Sequence, residues 1–146
     1  MALTPAAAAF ADLVVQVFRL NGLLLEAGDR LTAPSGQTSS RWQVMGCIDH
    51  APQSVAAVAR TMGLTRQSVQ RTADLLVGDG LAAYEANPDH KRAKLLRLTP
   101  EGQRVMTTIE EAQAAWANRM ADGLDEVAVR NAVELLAAVG RALARR

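Results

Sequence analysis

The sequence predicts a mainly α-helical chain interrupted by one small β-hairpin, and three observations set that class. Ala, Leu and Val supply most of the 49% hydrophobic content while aromatics are only 3%, and Ala and Leu enter helices at little entropic cost. Apolar residues recur at helical spacing over most of the 146 positions. The one clear break in that period, residues 81–98, holds two short β-compatible runs around an Asn-Pro-Asp turn.

The first helix is expected over residues 5–28, with Thr4 as cap and Pro5 in its first turn. Phe10, Leu13, Val14, Val17, Leu20 and Leu24 form one stripe, and Val15, Phe18 and Leu25 add a second apolar face. A helix apolar on two faces needs two partner surfaces, and in a small protein a second subunit is a natural one. A polar loop with Gly and Pro is expected over residues 32–37. The second helix starts near Thr38, Ser39 or Ser40, where Ser40 and Gln43 have capping-box spacing, and stops before Pro52. Ser54 caps a third helix that Gly63 ends. Thr65 caps a fourth, with Leu64 and Val69 spaced as a hydrophobic staple, and it runs to Gly78-Asp79-Gly80 while burying Val69, Ala73 and Leu76. Residues 81–85 and 94–98 pair as a hairpin. Thr99 and Pro100 open a long helix with the stripe Val105, Ile109, Ala112, Trp116 and Met120, broken at Gly123. The last helix starts at Asp125 and presents Val129, Ala132, Val133, Leu136, Val139 and Leu143 for burial; Arg141, Arg145 and Arg146 suit its C-terminal end.

Cys47 is the single cysteine, which excludes an internal disulfide framework and suits a reducing, cytoplasmic setting. Residues 1–25 lack the basic start of a signal peptide and carry Asp12 and Arg19 inside the apolar stretch, so a soluble helix is expected and no membrane partner. Net charge is only +1, but it is unevenly placed. Between Arg60 and Arg97 lie seven basic residues and four acids, a balance of +3, which points modestly to a polyanion.

A helix, a tight turn at Gly63 and a second helix make helix-turn-helix spacing, and the hairpin behind them makes a wing. In that geometry the second helix enters the major groove N-terminal end first. It offers Thr65, Arg66, Gln67, Ser68, Gln70 and Arg71. Gln can pair with adenine N6 and N7, Arg with guanine O6 and N7 or with phosphate, and hydroxyls with phosphate oxygens. Ser54, capping the preceding helix, joins this DNA-binding set. The hairpin tip, His90-Lys91-Arg92-Ala93-Lys94, is basic and can lay an arginine into the minor groove. A polar helix face alone is usually just solvated; the basic tip beside it is what favours double-stranded DNA as partner.

Three runs, Arg41-Trp-Gln-Val-Met45, Met62-Gly-Leu-Thr-Arg-Gln-Ser-Val-Gln-Arg71 and Asn87-Pro-Asp-His-Lys-Arg-Ala-Lys-Leu-Leu-Arg-Leu-Thr-Pro-Glu-Gly102, resemble the MarR family of bacterial regulators. The segment ending Leu-Thr-x-x-Gly is the most specific part. The resemblance implies a winged helix-turn-helix DNA-binding domain over residues 38–99. It implies dimerisation helices over 1–30 and 100–146, a homodimer on a palindromic operator, and repression of transcription. The family's wing usually carries Asp-x-Arg; with Arg92 as the motif arginine, His90 stands where the bracing carboxylate is expected and Asp89 lies one residue early. Small aromatic or phenolic effectors are implied as well, and Trp42 is the one candidate near such a pocket.

His50, His90 and Cys47 do not make a metal-ligand cluster, so no metal or other cofactor is expected. Cys47, between Met45 and Ile48, is expected to be a buried small hydrophobe rather than a redox sensor. No nucleophile-and-base set or phosphate-binding glycine loop can be assembled, so an enzyme is not expected. The alternative to a DNA-binding regulator is a winged-helix module that binds protein.

Overall fold

The computed structural model describes residues 1–145; Arg146, the last of the expected C-terminal basic residues, lies outside them. Six α-helices and three short strands are present among the described residues: α1 (Pro5–Thr32), α2 (Ser39–Ile48), β1 (Gln53–Ser54), α3 (Val55–Met62), α4 (Arg66–Gly78), β2 (Ala82–Glu85), β3 (Leu95–Leu98), α5 (Pro100–Ala121) and α6 (Glu126–Ala144). The chain forms two compact units, Met1–Glu111 and Ala112–Arg146.

The core of the first unit is built from α2, α3, α4, the small sheet and the first turns of α5. Met45, Ile48, Val58, Val69, Leu76, Leu96 and Ile109 are its most enclosed side chains. Four expected N-caps form: Thr4, Ser54, Thr65 and Thr99 each accept a hydrogen bond from the amide three residues on, at 3.1–3.2 Å, and Asp125, the expected start of the last helix, caps α6 in the same way at 3.1 Å. Gly63 ends α3 in the left-handed region at φ 65°, as its place in the turn requires. Of the expected staple pair only Val69 is buried; Leu64 stays 38% exposed.

The hairpin is antiparallel, with Tyr84 opposite Leu96 and Glu85 opposite Leu95. A third strand, absent from the sequence reading, lies on its other side. Gln53 pairs with Leu96 and Ser54 with Leu95, giving the order β1-β3-β2. Two residues are too short for any alternation to show.

Three expectations are corrected. The first helix runs past Gly28 to Thr32, and Ala33–Ser35 continue as a 3-10 turn that Gly36 closes at φ 71°. Gly28 is therefore not a stop but a point of close approach: a β-carbon there would overlap the Ser39 hydroxyl of α2. The second helix is capped by Thr38, whose hydroxyl accepts from the Arg41 amide at 3.2 Å, instead of by a Ser40–Gln43 box. Ser39 explains the choice, because its hydroxyl donates to the Leu25 carbonyl at 2.6 Å and its amide to Asp29 Oδ1 at 2.8 Å. Both bonds clasp α1 to α2. The stripe of α5 also differs: Gly102, Met106 and Ile109 are buried, Val105, Ala112 and Trp116 are half-buried, and Met120 is exposed.

The Leu-Thr-x-x-Gly segment has a physical basis. Thr99 accepts from the Gly102 amide at 3.1 Å and donates its hydroxyl proton to the Gly80 carbonyl at 2.6 Å, while its amide donates to the Leu81 carbonyl at 3.1 Å. Gly102 lies against Leu81, whose carbonyl oxygen a β-carbon would overlap. This junction fixes the strand ends against the start of α5.

The apolar residues of α6 find no burial within the single chain: Val129, Val133, Leu136 and Leu143 are exposed, and Val139 is half-buried. Phe10, Leu20 and Leu24 of α1 are exposed too. The segment Pro5–Ser35 is long and apolar enough by composition to cross a membrane. Against that use stand Asp12 and Arg19 inside it, costly in a bilayer core, and the docking of its last turns on α2.

Candidate nucleic-acid interface

The turn between α3 and α4 is three residues long, and the Leu64 amide closes it by donating to the Ala59 carbonyl at 2.9 Å. Val69, Ala73 and Leu76 anchor one side of α4 in the core. The other side projects Arg66, Gln67, Ser68, Gln70 and Arg71, all exposed, as is the capping residue Thr65. Thr65 and Ser68 are partly engaged in the helix start, since the Ser68 hydroxyl donates to the Thr65 carbonyl at 3.0 Å.

The wing folds back toward this face. A cleft of about 560 Å³ is lined by Ser54, Val55 and Ala56 at the start of α3, by Arg66, Gln67 and Gln70 of α4, and by Tyr84, Arg92, Ala93 and Lys94 of the hairpin. Residues that the sequence placed on three separate elements therefore meet on one surface. Arg71 on α4 and His90 and Lys91 on the wing lie outside that lining, all three exposed.

The wing turn is shaped by Asn87, whose Oδ1 accepts from the Asp89 amide at 3.0 Å and whose carbonyl accepts from the His90 amide at 3.3 Å. Among the described residues, neither Asp89 nor His90 braces Arg92, and no ion pair involves it. The nearby ion pair belongs to Arg97, whose Nε lies 3.3 Å from Glu85 Oε2 and ties the two hairpin strands together. Arg41 at the start of α2 pairs with Asp79 just past the end of α4, at 2.6 Å. Arg66, Arg71, Lys91, Arg92 and Lys94 take part in no ion pair among the described residues. The surface is thus net basic in a form a polyanion can use.

Two residues here escaped sequence reasoning. Asp74, one turn after Gln70, accepts from Gln70 Nε2 at 3.0 Å and from the Tyr84 hydroxyl at 2.7 Å, both on Oδ1. Gln70 Nε2 also donates to the Tyr84 oxygen at 2.8 Å. The trio joins α4 to the wing. Partial burial, then the hydrogen bond and charge of Asp74, push the Tyr84 hydroxyl up from 10.0 to about 12, against the opposing pull of Gln70. The i,i+4 spacing of Gln70 and Asp74 was visible in the sequence; Tyr84 carried no signal.

Trp42 is half-buried, its ring edge facing the α1–α2 contact at Gly28. With Gln43, Gly46, Cys47, Gln53, Thr61 and Met62 it lines an open depression of about 490 Å³ between α2 and α3. Cys47 is half-buried, and burial raises its thiol pKa. No group of His, Cys, Asp and Glu suited to a metal occurs among the described residues.

Helices on both sides of a tight turn, a following hairpin and a basic cleft between them define a winged helix protein. The family model of the MarR family matches residues 35–93, from the loop before α2 to the wing tip. The chain is 42% identical over 120 residues to the uncharacterized proteins Rv2011c of Mycobacterium tuberculosis and Mb2034c of Mycobacterium bovis, covering 82% of this chain and 84% of each relative. Among solved structures it resembles CouR from Rhodococcus jostii RHA1 bound to p-coumaroyl-CoA, with TM-score 0.80, 24% identity, and 88% of this chain and 92% of that one covered. It also resembles the M. tuberculosis regulator MOSR in complex with DNA, with TM-score 0.74, 22% identity, and 90% and 96% covered. The chain belongs to the MarR family.

Proposed function

We propose that this protein is a homodimeric repressor that binds a palindromic operator through α4 and the wing, with affinity tuned by a small aromatic or phenolic effector. The observation that carries the reading is the cleft that gathers Ser54, Arg66, Gln67, Gln70, Arg92 and Lys94 on one basic surface. On this reading, Gln67 of the cleft and Arg71 beside it face base edges, Thr65, Ser68 and Ser54 face phosphates, and Arg92 with His90, Lys91 and Lys94 follows the flanking backbone and minor groove. The DNA complex of MOSR supports this use of the fold.

Dimerisation is supported by the exposed apolar side chains of α1 and α6, which one chain leaves in water. Apolar faces of that extent mark interfaces, and a second copy would present the same faces in return. The CouR complex supports an effector; Trp42 is our candidate to touch it, because it sits at the α1–α2 contact. A DNA-bound regulator of this family belongs in the cytoplasm and acts by binding rather than by catalysis.

The test is equilibrium binding, by fluorescence anisotropy, to a duplex from the gene's own upstream region and to a scrambled duplex of equal length. The expected result is specific binding that weakens steeply with salt, and a loss of about tenfold or more in Gln67→Ala and in Arg71→Ala. Equal affinity for both duplexes would overturn the reading in favour of a protein-binding module.

A further inference from the structure

Gln70 sits on the DNA-facing side of α4, but its amide is already committed. A carboxylate only accepts hydrogen bonds, so the Gln70 atom 3.0 Å from Asp74 Oδ1 must be the nitrogen. The Tyr84 hydroxyl gives its single proton to the same carboxylate oxygen at 2.7 Å, so it can only accept from Gln70 Nε2, 2.8 Å away. Both protons of the Gln70 amide are consumed inside the protein. Its Oε1 is the one hydrogen-bonding atom left to face a ligand, and that atom accepts.

We infer that Asp74 and Tyr84 are positioning residues that turn Gln70 into an acceptor-only reader, selecting a base with an exocyclic amino group in the major groove. This rests on the DNA-binding reading above. A free glutamine pairs with adenine in two places, donating to N7 and accepting from N6. The locked glutamine loses the first bond. Adenine N6 and cytosine N4 both satisfy its oxygen, whereas thymine O4 and guanine O6 and N7 are acceptors and face it unfavourably. The contacted position therefore tolerates A or C on one strand and rejects T and G. The Asp74 carboxylate lies on this surface with its Oδ1 turned to Tyr84 and Gln70. Linking α4 to β2, the trio holds this reader at a fixed distance from the wing.

The experiment is selection from duplex DNA with a randomised core, using the full-length protein and the variants Tyr84→Phe, Asp74→Ala, Asp74→Asn and Gln70→Ala. The wild type is expected to enrich a motif with one A-or-C position per half-site. Gln70→Ala makes that position indifferent. Tyr84→Phe and Asp74→Ala release an amide proton and shift the position toward adenine over cytosine by about tenfold, leaving the other positions as they were. Asp74→Asn keeps an acceptor for Gln70 and retains the A-or-C preference. A variant that merely loosened the fold would weaken all positions together, so a change confined to one position separates the two effects. A wild-type motif that is unmoved in Tyr84→Phe and Asp74→Ala would overturn this inference alone. No enriched motif from the wild type would overturn the DNA-binding reading and this inference with it.

Discussion

Replacing Gly102 by alanine sets two physical effects against each other. Gly102 is in the first turn of α5, and alanine favours a helix over glycine by up to about 1 kcal/mol. The added β-carbon, however, would overlap the carbonyl oxygen of Leu81 and come within 3.1 Å of Leu98 Cδ2. The obstacle is backbone, not the end of a flexible side chain, so the junction itself must move. Overpacking of this kind costs about 1–3 kcal/mol. The movement also strains the bond from the Thr99 amide to the Leu81 carbonyl, 3.1 Å, worth roughly 1 kcal/mol. The net expectation is a loss of about 2 kcal/mol, or a fall in Tm of about 4–8 °C for a chain of this size. Urea and thermal melts followed by circular dichroism, at matched protein concentration, measure it. Gly46→Ala is the control, since Gly46 is exposed in α2 and a β-carbon there meets nothing within 4 Å; it is expected to stabilise by about 0.5–1 kcal/mol. A Gly102→Ala protein as stable as the wild type would refute the close-approach explanation of the Leu-Thr-x-x-Gly segment.

Tyr84 is the single tyrosine, so absorbance at 295 nm follows its ionisation alone. Its midpoint is expected near 12 in the folded protein, against 10.0 for an ordinary tyrosine. Because the folded state holds the proton more tightly, the stability this contributes is complete below pH 10 and disappears as pH rises toward 12. Asp74→Asn removes the carboxylate charge and should bring the midpoint down; a wild-type midpoint at the ordinary value would contradict the trio. The Cys47 thiol, raised by burial, is expected to react with iodoacetamide at neutral pH more slowly than free cysteine, and faster labelling would point to an activated thiolate instead.

Much of the fold was legible because its signals are local. Thr4, Ser54, Thr65 and Asp125 each cap a helix within three residues, and Gly63 needs only its own φ to end one. Features set by distant partners were not legible. Thr38 caps α2 because Ser39 is drawn to Leu25, fourteen residues earlier. Gly28 reads as a stop but serves close packing against that same serine. β1 exists only because β3 offers it an edge. At the site, the residue types on α4 and the wing could be listed from the sequence, and the structure adds their convergence on one cleft. It also withdraws the idea that Gln70 is free to pair with adenine in two places, since Asp74 and Tyr84 hold its amide. The bracing of Arg92 by Asp89 or His90 was not legible either, and neither residue pairs with it among the described residues.

Hydroxyl-radical footprinting on the upstream duplex, comparing wild type with Arg92→Ala, tests the division of labour between α4 and wing most directly. The expected wild-type pattern is two symmetric protected half-sites with protection extending into the flanking minor grooves. Arg92→Ala should lose the flanking protection and keep the half-sites. Absence of any footprint, or an Arg92→Ala footprint identical to the wild type, would contradict the assignment of this surface to DNA.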